Sequence, residues 1–200
     1  MSVVEEEGLY RIAWLADDEP SLNGRNFFGY PIVGSREDLL RKITPLEVRG
    51  GLVAVGDNRR RLDAAGWFGR QGLRLVKAVH PSAQVARGVT IDDGTVIMAG
   101  TVVNADSAIG RAVIINTGAT VDHDCVIGDG VHIAPGCHLC GTVRVGAASF
   151  VGAGSIVIPG TAIGENVLIG AGSVVIRDVP SNVKVAGNPA RPLGENSRDG

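Results

Sequence analysis

The sequence has few aromatic residues, few cysteines and no excess of charge of either sign. Only 4% of the 200 residues are aromatic although 44% are hydrophobic, so a core has to be built mainly from small aliphatic side chains. The 19 basic and 21 acidic residues give a formal net charge of −2, which offers no attraction to nucleic acid or to an anionic membrane. Three cysteines are too few for a disulfide framework.

Long hydrophobic runs are also missing. No apolar stretch approaches the roughly 20 residues that span a bilayer. The first residues, MSVVEEEGLY, are acidic where a secretory signal requires a basic and then an apolar stretch. We therefore expect a cytoplasmic protein with neither a membrane nor a nucleic-acid partner. Glycine, by contrast, is abundant, with 29 residues, about twice its average share.

Composition changes near residue 80, and we place a domain boundary at His80-Pro81. Seven of the eight aromatic residues precede residue 69, whereas glycine and valine become dense after His80. In the first part, apolar segments that favour strands alternate with helix-capping signals, which predicts a small parallel α/β sheet. The expected strands are Arg11–Ala16, Leu52–Gly56 and Leu73–Val79, and the expected helices are a short one over LLRKI and one from Asp57 to about Gln71.

The opening segment VVEEEG resembles the end of a helix that stops at Gly8. An α/β unit of this kind usually begins with a strand. We therefore expect this unit to lack its first strand.

A six-residue repeat is the strongest signal in the second part of the chain. From Val85 to Val175 every sixth residue is aliphatic, without insertion or gap. The residue four positions after each is small or β-branched, and the residue one position after is predominantly Gly, Ala, Asn or Asp. Six residues are too few for a helical hairpin, so the period indicates a solenoid in which each unit is a short strand and a turn.

Three such units would close one coil of 18 residues, and successive coils would rise by about 4.8 Å. Residues 18 positions apart would then lie directly above one another. Fifteen intervals of six residues separate Val85 from Val175, which corresponds to five full coils around one aliphatic column. Gly, Asn or Asp would allow the backbone to bend at the corners.

Several segments are more specific than the repeat itself. They are HPSAQV, VIMAGTVVNADSAIG, INTGATVDHDCVIGDGVHIAPG, GAGSIVIPG and VAGNPAR in the repeat region, and WLADDEP and AVGDNRRR before it. From about Ile12 to Arg191 the chain resembles the hexapeptide sugar acetyltransferases of the sialic acid O-acetyltransferase type, whose relatives N-acetylate nucleotide-linked 4-amino sugars. The resemblance implies a partial α/β nucleotide-sugar-binding domain over 1–80, a left-handed parallel β-helix over 81–192, and a disordered tail over 193–200.

The same resemblance implies a homotrimeric enzyme of polysaccharide biosynthesis that moves the acetyl group of acetyl-CoA directly to an amine or hydroxyl of a sugar. The expected acceptor is a nucleotide-linked 4-amino sugar, and O-acetylation of sialic acid or a related sugar is the alternative. Family members open with a strand and a glycine-rich loop that this sequence does not contain. The alternative from another class of function is therefore a non-catalytic trimeric scaffold with a degraded acceptor site.

Acetyl transfer needs a base, and histidine is the natural one near neutral pH. His123 follows the aliphatic Val121 by two residues, so its side chain should project from a turn. The resemblance implies that His123 is the general base and that Asp124 orients it, with Asp122 as the rival carboxylate. Gly141 lies 18 residues after His123, one coil further on. By resemblance, its backbone N–H stabilises the oxyanion.

The donor site is expected along the solenoid, where His132 lies half a coil from His123 and could reach it only across a subunit boundary. By resemblance, the residues that bind acetyl-CoA are Asn116, His132, Gly141, Gly152, Ala153, Gly170, Ala171 and Arg191. The candidates for nucleotide contact lie at the ends of the strands of the α/β unit, which is where ligands tend to bind. They are Asp17, Asp18, Gly56, Asp57 and Asn58, for which turns and helix caps are the alternative interpretation.

The cysteines and the two remaining histidines, His80 and His138, are expected to be structural. Cys137 and Cys140 have the spacing of a redox or zinc motif, but Cys125 and Cys137 occupy small-residue positions of the repeat. The histidine spacings also fail to bring three ligands to one zinc. We therefore predict neither an acyl-cysteine intermediate nor a bound metal.

Overall fold

Two-residue strands recur every six residues from Ala78 to Val175, as the hexapeptide period predicts. The computed structural model describes residues 1–42, 48 and 50–196. It winds these strands into a parallel β-solenoid that follows a small N-terminal α/β region. Within each stack the strands pair with those 18 residues before and after them, as Ile114–Ile115 does with Val96–Ile97 and His132–Ile133. The α/β region and the β-helix predicted from the sequence are confirmed.

The N-terminal region contains three helices, a 3-10 turn and four short strands in the described part of the chain. They are α1 (Ser2–Glu7), the turn Pro20–Leu22, β1 (Asn26–Phe27), β2 (Tyr30–Pro31), α2 (Arg36–Lys42), β3 (Gly50–Gly51), α3 (Asn58–Arg70) and β4 (Arg74–Leu75). Gly8 ends α1 in a left-handed conformation, and Asp57 caps α3 by accepting the Arg60 backbone N–H at 2.9 Å, both as predicted. The helix expected over LLRKI is α2, and Ile43 lies outside the described residues. None of the helices described is long and apolar enough to cross a membrane.

The solenoid has three faces, each a stack of parallel strands. Sheet 1 contains β5 (Ala78–Val79), β8 (Val96–Ile97), β11 (Ile114–Ile115), β14 (His132–Ile133), β17 (Phe150–Val151), β20 (Leu168–Ile169) and β22 (Val183–Ala186). Sheet 2 contains β6 (Gln84–Val85), β9 (Val102–Val103), β12 (Thr120–Val121), β15 (His138–Leu139), β18 (Ile156–Val157) and β21 (Val174–Val175). Sheet 3 contains β7 (Thr90–Ile91), β10 (Ala108–Ile109), β13 (Val126–Ile127), β16 (Arg144–Val145) and β19 (Ala162–Ile163).

An aliphatic column fills the interior of the solenoid. Every repeat position from Ile97 to Val175 is at most 3% exposed. Val85 is 39% exposed, because it lies in the end strand of sheet 2 and the described chain places no strand beneath it. At roughly 25 cal/mol per Å² of apolar surface, the burial of this column is the main stabilising contribution to the solenoid.

The small residues beside the column hydrogen-bond to the next coil. Ser107 Oγ donates to the Asp122 carbonyl at 2.8 Å, and Cys137 Sγ donates to the Gly152 carbonyl at 3.0 Å. Cys125 and Cys137 are fully buried, and burial is the main cause that raises the pKa of both thiols. These two cysteines therefore act as small packing residues, as predicted.

The expected N-terminal strands are wrong in extent, because the chain leaves the small sheet to pack on the solenoid. Arg11–Ala16 contributes a single β-bridge, from Leu15 to Ile32. Leu52–Gly56 is not a strand, since it continues past β3 to pack against solenoid residues. Leu73–Val79 is divided into β4, which pairs with β3, and β5, which joins sheet 1.

The ordered chain continues into the tail that is expected to be disordered from residue 193. The strand β23 (Arg191–Glu195) pairs antiparallel with β22, so its backbone groups are satisfied by sheet 1. Residues 197–200 lie outside the described part.

Helix α1 connects the N-terminal region to the first coil. Val3 and Val4 are buried against Ala78 in β5. Glu6 Oε2 lies 2.8 Å from Nε2 of His80, whose side chain is 12% exposed. These contacts agree with a structural role for His80.

Some corner glycines are required by the close approach of the next coil. A Cβ on Gly146 would lie 2.5 Å from backbone atoms of Gly164 and Glu165. A Cβ on Gly66, in α3, would meet only the end of the Arg70 side chain, at 3.3 Å, apart from the backbone of its own helix.

We expect Gly146→Ala to lower the free energy of unfolding by about 1–3 kcal/mol, because the next coil has to shift. Gly66→Ala is the matched control, and it should leave stability unchanged or raise it by about 0.5–1 kcal/mol, since alanine favours a helix. Urea unfolding followed by circular dichroism measures both. Equal stability of the two variants would show that the corner has room for a side chain.

Candidate active site

The His123 side chain projects from the corner between sheets 2 and 3, two residues after β12. The chain turns sharply there, because Asp124 has a left-handed backbone with a φ of 57°. The His123 side chain is 57% exposed, and its Nδ1 lies 2.7 Å from Asp124 Oδ2. An ionised carboxylate can only accept, so Nδ1–H donates to Asp124. This bond is the main cause that raises the pKa of His123 above its ordinary value.

The bond to Asp124 leaves Nε2 as the basic atom of His123. Among the described residues, no group hydrogen-bonds to Nε2. A Cβ on Gly141, in the next coil, would lie 2.6 Å from Nε2 and 2.7 Å from Cε1. Any side chain at position 141 would therefore displace the ring from this placement. Gly141 is buried beneath the ring, and its backbone N–H finds no acceptor within the described ranges.

Asp122, the rival carboxylate, is engaged differently from Asp124. Its Oδ1 accepts the backbone N–H of His123 at 2.8 Å and the Asn104 amide nitrogen at 2.9 Å. These bonds, with that from Asn104 the larger cause, lower the pKa of Asp122. Asp124 thus holds the imidazole, whereas Asp122 holds the backbone that carries it.

His132 lies in β14 of sheet 1, where its ring stacks edge-on against Phe150 at 5.0 Å. Asn116 Oδ1 accepts the Thr117 backbone N–H at 2.8 Å, so the amide nitrogen of Asn116 faces His132 Nε2 at 3.1 Å. Nε2 is then the acceptor, and Nδ1 carries the hydrogen. In the described part of the chain this buried Nδ1 makes no hydrogen bond that satisfies the usual geometry, and the acceptor near the ring is the backbone of Gly56.

The environment of His132 makes it a weak base. Burial, followed by the positive charge of Arg61, lowers its pKa to about 4, against a weaker opposing effect of the Gly56 carbonyl. His132 is therefore neutral near pH 7. The two histidines differ in chemistry: His123 can accept a proton, and His132 can contribute neutral hydrogen bonds.

Arg61, which the sequence analysis does not single out, joins the N-terminal region to the solenoid. Its side chain is 1% exposed. It donates to the Ala112 carbonyl at 2.8 Å and the Gly130 carbonyl at 2.7 Å, both on the corner between sheets 3 and 1. It also donates to the carbonyls of Val55 and Gly56 at 2.9 and 3.1 Å. One buried cation therefore fixes the loop before α3 to the solenoid.

Asn58 completes this connection. Its Oδ1 accepts from Arg61 at 2.8 Å, and its Nδ2 donates to the carbonyls of Ala148 and Ser149 at 3.1 and 3.0 Å. Asn58, Arg61 and Ala65 are the buried residues of α3. Their spacing of three and four is the signal from which the buried face could have been found.

The expected nucleotide-contacting residues of this loop make structural contacts. The Asn58 side chain is committed to the solenoid, which argues against its use for a ligand. Asp57 caps α3, and the Gly56 carbonyl accepts from Arg61. For these residues the alternative interpretation, caps and turns, accounts for the contacts.

The two expected aspartates near the N-terminus also lie in turns. Asp17 Oδ1 accepts the Glu19 backbone N–H at 2.9 Å. Asp18 forms an ion pair with Arg36 at 3.2 Å, and both side chains are partly exposed. Contact of Asp17 or Asp18 with a nucleotide stays a prediction.

The remaining expected donor-site residues lie mostly on one ridge, the corner between sheets 1 and 2. They are Asn116, Gly152, Ala153, Gly170 and Ala171. A Cβ on Gly152 would lie 2.5 Å from the Ile169 carbonyl oxygen, so coil packing already requires this glycine. Arg191 is exposed at the start of β23, and its guanidinium donates to the Ala190 carbonyl at 3.1 Å. Donor binding by these residues stays a prediction.

The candidates therefore form two groups on one chain. His123, Asp124 and Gly141 lie at the corner between sheets 2 and 3, whereas His132 lies on sheet 1 and Asn116 at its edge. Sheet 2 separates the two groups.

Comparison with known proteins identifies the family. Residues 106–141 and 142–177 match the family model described as bacterial transferase hexapeptide (six repeats). The acetyltransferase domain of PglB from Neisseria gonorrhoeae FA1090 is 38% identical, with a TM-score of 0.89 over 96% of this chain and 92% of that chain. PerB from Caulobacter crescentus, in complex with CoA and GDP-perosamine, is 40% identical, with a TM-score of 0.89 over 96% of this chain and 90% of that chain. The chain belongs to the hexapeptide-repeat transferases.

Two further findings complete the comparison. The PglB domain has also been solved in complex with acetyl coenzyme A, again at 38% identity and a TM-score of 0.89 over 96% of this chain and 91% of that chain. A comparison with curated protein sequences finds no match.

In this hexapeptide-repeat transferase we expect Arg61→Met to lower the free energy of unfolding. The substitution leaves the buried carbonyls of Ala112 and Gly130 without a donor, and each unmet acceptor costs about 1–3 kcal/mol. Arg60→Met is the matched control, since its side chain is exposed, and it should change stability by less than about 0.5 kcal/mol. Urea unfolding measures both variants. If the two proved equally stable, Arg61 would not be what joins the two regions.

Proposed function

We propose that this chain transfers the acetyl group of acetyl-CoA directly to the amine of a nucleotide-linked amino sugar. The carrying observation is the corner at His123, where Asp124 holds the imidazole and Nε2, which has no partner among the described residues, lies directly over Gly141. The similarity to PglB and PerB over nearly the whole chain supports acetyl-CoA as the donor. The GDP-perosamine bound to PerB supports a sugar amine as the acceptor.

The geometry of the corner fits a direct transfer. His123 Nε2 removes a proton from the amine as the nitrogen attacks the thioester carbonyl. The Gly141 N–H donates to the oxyanion that develops on the carbonyl oxygen, and loss of one such donor typically costs about 3–4 kcal/mol of transition-state stabilisation. When the intermediate collapses, the carbon–sulfur bond breaks and the proton on His123 is available to the leaving CoA thiolate.

The donor is held by the second group of candidates. Neutral His132 and Asn116, whose amide nitrogen faces the His132 ring at 3.1 Å, line a wall suited to the polar amides of a pantetheine arm. Because this wall and the His123 corner lie on opposite sides of sheet 2, a complete site needs a neighbouring subunit. A homotrimer supplies one. A cytoplasmic location, a mechanism without metal and a place in polysaccharide biosynthesis belong to the same proposal.

The first test measures CoA thiol release from acetyl-CoA with a panel of acceptors. The panel contains GDP-perosamine, other nucleotide-linked amino sugars, free amino sugars and sialic acid. We expect release with a nucleotide-linked amine, and a decrease of about 10²–10⁴-fold in kcat for His123→Ala. His138→Ala, an exposed histidine of sheet 2, is the control and should retain activity.

The outcomes of this assay separate the alternatives. Release only with a hydroxyl acceptor would show that the chain O-acetylates a sugar and does not act on an amine. Absence of release with every acceptor, despite bound acetyl-CoA, would contradict catalysis and favour a non-catalytic scaffold.

The pH profile tests the role of Asp124. As a base His123 works only when deprotonated, so wild-type kcat/KM should fall as the pH drops through its raised pKa. In Asp124→Asn the carboxylate no longer raises this pKa, and the acid limb should move to lower pH while the maximal kcat decreases. Asp106→Asn is the matched control, because Asp106 occupies the same corner position one coil earlier, with a φ of 59°. An unchanged acid limb in Asp124→Asn would contradict the assignment of His123 as the base held by Asp124.

A further inference from the structure

The two aspartates that flank His123 make different contacts, and the difference arises from the preceding coil of the solenoid. Asp124 is exposed and reaches Nδ1 of the imidazole. Asp122 is half-buried and is held from three sides. Asn104 Nδ2 donates to its Oδ1 at 2.9 Å, the His123 backbone N–H donates to the same oxygen at 2.8 Å, and Ser107 Oγ donates to its carbonyl at 2.8 Å.

Asn104 is the side chain that connects this carboxylate to the preceding coil. It lies 18 residues before Asp122, at the same corner, and is itself half-buried. The strands β9 and β12, which lead into the two corners, pair in register. The amide of Asn104 is therefore carried by a rigid part of the solenoid, and its bond to Asp122 transmits that rigidity to the corner.

The bond fixes the peptide unit from which the His123 side chain begins. With Asn104 in place, Asp122 Oδ1 points at the backbone N–H of His123 and is occupied twice. It is then not free to rotate toward the imidazole and compete with Asp124 for Nδ1. The lowered pKa of Asp122 agrees with this arrangement, because the Asn104 amide stabilises the ionised carboxylate.

We propose that Asn104 is a positioning residue for His123. Asn104 acts through the Asp122 carboxylate and so directs Nε2 of His123 toward the reacting amine. This inference rests on the proposed function only in taking His123 as the base. The inference adds to the site a residue from the preceding coil, Asn104, which acts without touching the reacting atoms.

The test separates kcat from KM in a set of variants. In Asn104→Ala we expect kcat to fall by about 10- to 100-fold, because a misplacement of about 1 Å of a catalytic group costs up to this much. The KM for acetyl-CoA should stay within about twofold, since the donor wall at His132 is on another face. Asn166→Ala is the matched control, because Asn166 also bonds a later coil, through Asn182 at 2.8 Å, but at a corner that does not carry His123. It should leave kcat unchanged.

A comparison of two near-isosteric variants distinguishes positioning from simple loss of structure. Both hydrogen bonds end on Oδ1 of Asp122, so the amide oxygen of Asp122→Asn can still accept the His123 backbone N–H and the Asn104 amide. Asn104→Asp instead opposes two carboxylates and loses the donor. We expect Asp122→Asn to retain at least about tenfold more kcat than Asn104→Asp. Equal losses of kcat in these two variants, both folded, would overturn the proposal.

A readout independent of activity completes the design. The ¹⁵N shifts of the two His123 ring nitrogens report which nitrogen carries the hydrogen. Wild type should show one tautomer with hydrogen on Nδ1, and Asn104→Ala should move both shifts toward the average of the two tautomers. Identical shifts in wild type and Asn104→Ala would overturn positioning even if no acceptor is turned over. If Asn104→Ala alters the shifts but the wild type transfers no acetyl group, the result would contradict the proposed function and leave the positioning role standing.

Discussion

Vertical contact between residues 18 positions apart determines where each candidate catalytic group lies. The strands of all three sheets pair in register along the coils, so each corner stacks on the corner before it. Gly141 therefore meets the ring of His123, and Asn104 meets Asp122. One residue inserted between Asn104 and Asp122 would separate that pair, and one inserted between His123 and Gly141 would separate the other, because an insertion shifts the register of every later coil. The regularity of the repeat is thus a requirement of the site as well as of the core.

The solenoid does not by itself account for the second group of candidates, since the environment of His132 depends on the N-terminal region. Arg61 carries a buried charge there and is satisfied mainly by backbone carbonyls of both parts. A buried cation tolerates little displacement from such acceptors, because no solvent is present to replace a hydrogen bond that is lost. Arg61 consequently fixes the Gly56 loop relative to β14. The same charge is one of the two causes of the low pKa of His132.

How far the sequence predicted this arrangement follows from the kind of signal each part carries. The six-residue period places His123 and Gly141 in one column by arithmetic alone, and the structure brings them together. The N-terminal strands were harder, because an apolar segment such as Leu52–Gly56 looks the same whether it pairs in a sheet or packs on a solenoid. Arg61 is one of three consecutive arginines, and only the docking of α3 decides which of them is buried.

The opposite environments of the two histidines give the proposed site two different protonation behaviours. Asp124 raises the pKa of exposed His123, whereas burial and Arg61 lower that of His132 to about 4. Between these two pKa values His123 gains a proton as the medium becomes more acidic, while His132 stays neutral. The proposed donor wall therefore keeps the same hydrogen-bonding pattern over the pH range in which His123, the proposed base, is protonated. Acid sensitivity is confined to the corner at His123, because the burial that protects His132 is supplied by a different part of the chain.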